Sequence, residues 1–202
     1  MKGRGDMSVN EFEAFKQELL NCRRCAHQFE HTPRPIFQGN QNANIMQISQ
    51  APSRKVMESG LPFHDLSGKR LKQDWYQITD DCFYDPANFY IASIARCYPG
   101  KAKRSGDNPP PTICAERFLK RELTMIHPKL YLVIGSYAAK WLFPDEDMLS
   151  LVFKNHTFQG KPLFVLPHPS PLNRRWLNEH PQFENERIAD IRKQIHIALQ
   201  GK

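Results

Sequence analysis

Short apolar runs alternate along this chain with longer segments in which apolar residues recur at helical spacing. The apolar runs have the length of buried strands and cover residues 45–49, 89–95, 130–134 and 164–166. Spacings of three and four residues predict helices near residues 9–20, 68–78, 114–125, 137–142 and 184–199. Four successive strand-then-helix steps predict an α/β fold, a three-layer α/β/α sandwich with a central, mostly parallel, four-stranded sheet.

Each predicted strand ends at a loop that contains proline, glycine or a polar side chain. The first strand stops before Pro52, which fixes its backbone and cannot donate to a sheet ladder, and the last stops at Pro167. Arg96 and Gly135 follow the other two strands. Because the carboxyl ends of parallel strands meet at one edge of a sheet, we expect these loops to form a ligand site together.

Size and composition predict a single domain over residues 1–202, because 202 residues with 40% hydrophobic content can bury one substantial core. No apolar run approaches the roughly 20 residues that span a membrane, and the first residues lack the apolar centre of a signal peptide. We therefore expect a cytoplasmic protein with no membrane partner. The net charge of +7 favours a polyanionic partner, although a solvated basic surface explains it equally well.

The cysteines form a second chemical signal, because the cytoplasm keeps thiols reduced and five cysteines there are not expected to be a disulfide framework. Cys22 and Cys25 form a CxxC turn, Cys97 follows the second strand and Cys114 opens the next helix. Four thiolates brought together bind zinc or an iron–sulfur cluster, and spacing does not separate the two. Unconnected core cysteines are the alternative. Cys82 lies outside the pattern and is expected to be an ordinary small buried residue.

The order of these motifs resembles the uracil-DNA glycosylase superfamily, and with the early CxxC the chain is most similar to the iron–sulfur (family 4) branch. No single motif is decisive, but the ordered set is specific and spans residues 22–172. The matching segments are CRRC at 22–25, SQAPS at 49–53, GLPF at 60–63, Cys97, Cys114, IGSYA at 134–138 and HPSP at 168–171.

The resemblance implies a DNA N-glycosylase of base-excision repair, which flips its target base out of the duplex and into a pocket. Phe63 stands where the family has an aromatic that stacks on the flipped base. His168 stands where the family has a histidine facing the uracil carbonyl, and a neutral N–H there stabilises the growing negative charge. The structural alternatives are a Phe63 that plugs the core and a His168 hydrogen-bonded within a proline-rich turn.

Four groups of site residues follow from the resemblance. In the DNA-binding group, Leu172 directly after HPSP matches an apolar wedge that fills the hole left by the flipped base. Arg174 and Arg175 beside it are placed to touch phosphates. The expected catalytic residues are His168, Gln50 and Asp65. The expected base pocket is Ala51, Pro52, Phe63 and Ser93. The expected DNA-binding residues are Ser170, Leu172, Arg174 and Arg175, and the expected metal ligands are Cys22, Cys25, Cys97 and Cys114.

Three departures from the family pattern affect the expected site. Gln50 replaces the glutamate of the family-4 GEAPG pattern. Ser93 replaces an asparagine that contacts the uracil edge with one donor and one acceptor. A serine hydroxyl cannot make both contacts, so discrimination of uracil from other bases is weakened. Asp65 replaces a small residue at the pocket mouth. It either positions water or assists base loss, or it caps the next helix as a turn aspartate.

Two classes of function therefore stay open. The first is an N-glycosylase that removes uracil or another deaminated or damaged base from single- or double-stranded DNA. The second is a non-catalytic protein of the same fold that holds DNA or a free nucleobase. A zinc protein of unrelated function is a third, weaker reading. For the first two we expect a monomer with a structural [4Fe–4S] cluster, or zinc, at the same four cysteines.

Overall fold

A computed structural model describes residues 9–104 and 106–200 of the chain. The strands in that part are β1 Ile45–Ser49, β2 Phe89–Ser93, β3 Leu130–Ile134, β4 His156–Phe158 and β5 Lys161–Leu166. They form one sheet in the order β2-β1-β3-β5-β4, in which only β4 runs antiparallel to its neighbour. The mostly parallel sheet is therefore confirmed, but it has five strands and the expected number of four is wrong.

The unexpected strand β4 is the first arm of a hairpin with β5. Gln159 and Gly160 connect the two arms at φ 50° and φ 74°, the positive angles of the tight turns that join paired strands. At three residues, His156–Phe158 is too short to show the alternation by which a strand is predicted from sequence.

The helices of the described residues lie on both sides of the sheet. All five predicted helices are present, and the four that were not predicted (α2, α4, α7 and α8 in the following series) have only five or six residues, too few to establish a period. Their bounds are α1 Val9–Leu20, α2 Arg54–Ser59, α3 Leu66–Lys69 with its continuation Arg70–Tyr76, α4 Asp80–Tyr84, α5 Thr112–Cys114 with its continuations Ala115–Leu119 and Lys120–Met125, α6 Ser136–Leu142, α7 Met148–Phe153, α8 Arg174–Glu179, and α9 Phe183–Arg187 with its continuation Ile188–Gln200.

The sheet is covered on both faces, as a three-layer sandwich requires. Every residue of β1, β2 and β3 is buried, which is the pattern of parallel strands with helices on each side. On one face α9 packs on α3, where the rings of Trp75 and Phe183 lie 5.0 Å apart, and on β1 and β3. α6 packs on β1 and β3 and α5 packs on β2, and the right-handed crossovers expected between parallel strands assign these two helices to the other face.

The first helix is attached to α5 by both apolar and charged contacts. Phe15 packs edge-on against Phe118 with ring centroids 6.0 Å apart, and Glu18 pairs with Arg117 at 2.8 Å and Arg121 at 2.6 Å. This docking holds the chain that leaves α1, with its CxxC turn, beside the start of α5.

The loops after the strands are held side by side at one edge of the sheet. Ile94 and Ala95 donate backbone hydrogen bonds to Ser49 and Gln50, at 2.9 and 3.1 Å. Gly135 donates to Leu166 at 2.9 Å. The loops that follow β1, β2, β3 and β5 therefore lie at the carboxyl edge. Among the described helices, none has both the length and the apolar character that crossing a membrane demands.

Candidate active site

A cleft of about 350 Å³ opens at the carboxyl edge, between the loops that follow β1, β2 and β5. It is lined by all seven residues expected in the catalytic and base-pocket groups, and by two of the expected DNA-binding residues. These are Gln50, Ala51, Pro52, Phe63, Asp65, Ser93, His168, Ser170 and Leu172. Arg174 and Arg175 are exposed at the start of α8 and do not line the cleft. The structure thus gathers these side chains in one place, and their roles stay predictions.

The local hydrogen bonds of His168 determine which of its ring nitrogens carries the proton. The backbone N–H of Ser170 donates to Nδ1 of His168 at 3.1 Å, so Nδ1 accepts and the proton lies on Nε2. Burial lowers the pKa of His168 below its ordinary value of 6.5, and the negative charge of Asp65 partly opposes this. Near pH 7 the ring is therefore neutral, with an Nε2–H donor.

Phe63 is held in a backbone conformation that side chains other than glycine rarely adopt, at φ 55°. Gly68 makes room for it, because a Cβ on Gly68 would lie 1.7 Å from the carbonyl oxygen of Phe63. Phe83 packs edge-on against the ring at 6.1 Å. Strained residues persist only where neighbours enforce them and often occur at functional sites, which favours a role for this half-buried aromatic in the cleft.

Asp65 is the N-cap of α3, so the turn-aspartate alternative accounts for its contacts. Its Oδ1 accepts from the backbone N–H of Gly68 at 2.9 Å, and its Oδ2 accepts from Oγ of Ser53 at 2.6 Å. Capping does not remove Asp65 from the site, because it also lines the cleft and its charge influences His168. The carboxylate therefore connects the loop after β1 to the start of α3 and faces the cleft.

Ser93 uses its hydroxyl proton locally. Its Oγ donates to the carbonyl oxygen of Ala95 at 2.7 Å, within the turn that ends β2. The side chain is 7% exposed, so only its lone pairs are left for a ligand. The donor-plus-acceptor pair expected of an asparagine at this position is absent from Ser93.

Asn173, Asp107 and Arg96 also line the cleft and were not among the expected site residues. Asn173 donates from Nδ2 to the carbonyl oxygen of His168 at 3.0 Å and so fixes the loop that carries the histidine. Asp107, from the loop before α5, accepts from Oη of Tyr98 at 3.2 Å, and burial raises the pKa of its carboxyl. Arg96 is the third. The sequence indicated Arg96 only as the residue that follows the second predicted strand and precedes Cys97, with no role of its own in the site.

Arg96 lies between the cleft and the cysteines and is 3% exposed. Its guanidinium donates to the carbonyl oxygen of Ile91 at 2.7 Å and is ion-paired with Glu122, which also accepts from Oη of Tyr90 at 2.6 Å. The charge is thus neutralised inside the protein, as a buried arginine requires. The backbone N–H of Arg96 donates to Sγ of Cys114 at 3.4 Å.

The four expected metal ligands line a second, small and mostly apolar cavity between α1 and α5. These are Cys22, Cys25, Cys97 and Cys114, and none of them forms a disulfide. Burial, with added repulsion from the neighbouring sulfurs, raises the pKa of Cys97 to about 12, and burial raises that of Cys114 to about 11. Cys82 lies elsewhere, half-buried beside Asn88. Over residues 9–104 and 106–200, no group of three or more His, Cys, Asp or Glu side chains stands where it could hold a metal ion.

The loop beyond His168 reaches out from the cleft into solvent. Leu172 is 78% exposed, an unusual position for a large apolar side chain. Arg174 is exposed one turn away, and the exposed Arg175 pairs with Glu179 at 2.8 Å.

Comparison with known proteins matches residues 36–192 to the family described as the uracil DNA glycosylase superfamily. The chain is 27% identical over 189 residues to a type-4 uracil-DNA glycosylase of Archaeoglobus fulgidus, covering 88% of each protein. It is 26% identical over 135 residues to that of Sulfurisphaera tokodaii, covering 67% of this chain and 59% of the relative. It is 23% identical over 141 residues to the type-4 uracil-DNA glycosylase of Saccharolobus solfataricus, covering 69% of this chain and 62% of the relative. The matches to these last two span less than two thirds of the relatives' length.

Proposed function

Because this chain belongs to the uracil-DNA glycosylase superfamily, we propose that it is a DNA N-glycosylase that excises uracil or a related deaminated or damaged base in base-excision repair. The observation that carries this proposal is the meeting of His168 and Phe63 in one cleft at the carboxyl edge of the sheet. A ring that can stack on a base and a neutral N–H donor are what a pocket for an extruded base requires.

In this proposal the target nucleotide leaves the stack and its base enters the cleft beside Phe63. As the glycosidic bond breaks, its electron pair moves onto the base, and the Nε2–H of His168 donates to the carbonyl oxygen that gains negative charge. The sugar carbon becomes positive, and the Asp65 carboxylate stabilises that charge. Water adds its hydroxyl to the sugar and its proton goes to the departing base, so the products are a free base and an abasic site.

The rim supplies the contacts to DNA. Leu172, exposed at the cleft edge, is placed to enter the space that the flipped base leaves, and Ser170 holds its loop by accepting the backbone N–H of Leu172 at 3.2 Å. Arg174 and Arg175 carry positive charge toward the phosphates. Arg174 is the stronger candidate, because Arg175 is already paired with Glu179.

We further infer that Cys22, Cys25, Cys97 and Cys114 hold a [4Fe–4S] cluster, with zinc as the alternative occupant. The donor set supports this, since four unpaired thiols surround one cavity and thiolates are the ligands of such clusters. When bound, the group would serve as a structural link that ties the end of α1 to the loop after β2 and the start of α5.

The second candidate function is a DNA- or nucleobase-binding protein without turnover. Ser93 favours this function, because its hydroxyl proton is donated to Ala95 and the edge of a bound base loses a hydrogen-bond donor. Gln50 also favours the binding function, because it is neutral where the family pattern has a glutamate. For either function we propose a single domain over residues 1–202 that acts as a monomer in the cytoplasm.

Release of free base separates the two candidates. Single- and double-stranded oligonucleotides that each carry one deaminated base are incubated with the protein, and the released base is identified by mass spectrometry. The proposal expects one free base and an equal amount of abasic sites. Tight binding of the same oligonucleotides without release of free base would contradict the glycosylase function and support the binding function.

A further inference from the structure

A second groove, of about 600 Å³, lies beside the cleft at the carboxyl edge. Pro99 and Asp107 line both spaces, so the groove and the cleft are neighbours. One side of the groove is formed by the chain at residues 28–31 and the other by α2, through Arg54, Met57 and Glu58. Nothing in the proposed base pocket accounts for a space of this size.

Three aromatic rings stack along one wall of this groove. Phe29 and His31 lie parallel, with centroids 5.3 Å apart and planes at 5°, and Tyr98 continues the stack at 5.3 Å and 29°. His31 is fixed there because its Nε2 donates to the carbonyl oxygen of Tyr98 at 3.1 Å. His31 has a neighbouring ring on each face, so the stack presents Phe29, its half-buried end, to the groove.

The charges around the groove distinguish a base from a phosphate. Glu30, Glu58 and Asp107 line it together with the cations Arg54 and Lys101. Arg54 is paired with Glu58 at 2.9 Å, so the groove has no surplus of positive charge to attract a phosphate. Further basic side chains lie on the hairpin between Gly100 and Asn108. Backbone bonds from Asn108 to Gly100 at 2.8 Å and from Ala102 to Gly106 at 3.0 Å hold this hairpin. Lys101 lines the groove, and the other exposed cations of the hairpin are Lys103 and Arg104.

We propose that this groove takes the base of an unpaired nucleotide next to the target, with the strand's phosphates passing over the basic hairpin. The inference rests on the proposed glycosylase function for the identity of the target. Aromatic rings accept any base on its face, but only a base that is free of its own pair can leave the stack to reach them. The groove therefore makes single-stranded DNA the better substrate.

The test uses a single-stranded oligonucleotide with one 2′-fluoro-2′-deoxyuridine, whose fluorine slows loss of the base, and measures Kd by fluorescence anisotropy. Each flanking base is removed in turn by an abasic spacer. The proposal expects that one flanking position weakens wild-type binding by about tenfold when its base is missing. Phe29→Ala should bind the intact strand about tenfold more weakly and should show the same affinity with and without the base at that position.

Two matched variants separate the ring from general damage. Phe29→Tyr keeps a ring at the end of the stack and should retain the dependence on the flanking base. His127→Ala removes an exposed histidine just before β3, at the opposite edge of the sheet, and should match the wild type. The proposal is wrong if the wild type tolerates spacers at every flanking position, or if the Phe29→Ala protein keeps the full dependence on the flanking base.

Failure of the groove and failure of the glycosylase give different results. If the wild type releases uracil but its binding does not depend on any flanking base, the proposed role of the groove is wrong and the proposed glycosylase function stands. If binding depends on a flanking base but the protein releases no base, the proposed role of the groove is supported and the proposed glycosylase function is wrong.

Discussion

Gly135 lies directly against the ring of His168: a methyl group added to Gly135 would stand 3.2 Å from Cδ2 and 3.4 Å from Cβ of the histidine. Gly135 also has φ 82°, a conformation that suits glycine and strains other residues. The turn after β3 therefore sets the position of His168, although the two residues are far apart in the sequence.

Gly135→Ala is predicted to displace His168 and reduce base release by about tenfold or more, because small displacements of a preorganised donor are costly. Single-turnover rates on uracil-containing DNA measure this, with the thermal unfolding midpoint as the folding control. A Gly135→Ala protein that is folded and fully active would show that His168 tolerates displacement or takes no part.

The pH dependence of base release is predicted to have an acid limb below pH 6.5. Burial lowers the pKa of His168, so the ring stays neutral at pH 7 and is protonated only as the pH falls through that lowered value. Protonation puts a hydrogen on Nδ1, which then opposes the N–H of Ser170. The unfolded chain binds this proton at higher pH than the folded one, so stability also falls as the pH drops below 6.5.

Asp65→Asn tests the same assignment by removing a charge while keeping a residue that caps helices equally well. Because the Asp65 charge raises the pKa of His168, its loss should move the acid limb to lower pH. An acid limb that moves upward, or one that lies above pH 6.5 in the wild type, would assign the titration to another group.

Ser93→Asn is predicted to raise kcat/KM for uracil by about tenfold or more, because a carboxamide restores one donor and one acceptor at the base edge. Ser93→Ala is the matched control, since it removes the bond to Ala95 without adding a reader. Strong wild-type activity on another base, together with no gain for uracil in Ser93→Asn, would mean that the pocket is not a weakened uracil site.

Cys97→Ala is predicted to abolish bound iron and to lower the thermal unfolding midpoint, because Cys97 lines the cavity shared by four thiols. Iron content and absorbance near 400 nm measure occupancy, and zinc analysis of the same samples identifies the alternative. Cys82→Ala is the control, since Cys82 lies outside that cavity. Equal iron content in Cys97→Ala and the wild type would refute the assignment.

The sheet could be predicted from sequence where strands are short apolar runs bounded by strand-ending residues. Ile45–Ser49 and Leu130–Ile134 have the predicted bounds to the residue. The second strand ends at Ser93 and not at residue 95, because the Ser93 hydroxyl bonds to Ala95 and bends the chain. No run of apolar residues carries information of that kind.

The site could be predicted only as far as its motifs follow strands. His168 and Phe63 belong to such motifs, and the structure brings them to one cleft. Arg96 could not be predicted, because an arginine after a strand is normally exposed. Its burial depends on Glu122, which is distant in sequence and reaches it only through packing of α5. The aromatic groove was missed for the same reason, since His31 and Tyr98 meet only in the fold.

Single-turnover release of uracil from DNA by the wild type, His168→Ala and His127→Ala tests the proposed function most directly. The account predicts that the wild type releases uracil, that His168→Ala is slower by about 100-fold because one preorganised donor is lost, and that His127→Ala equals the wild type. Equal rates for His168→Ala and the wild type, or no base release by any of the three proteins, would contradict it.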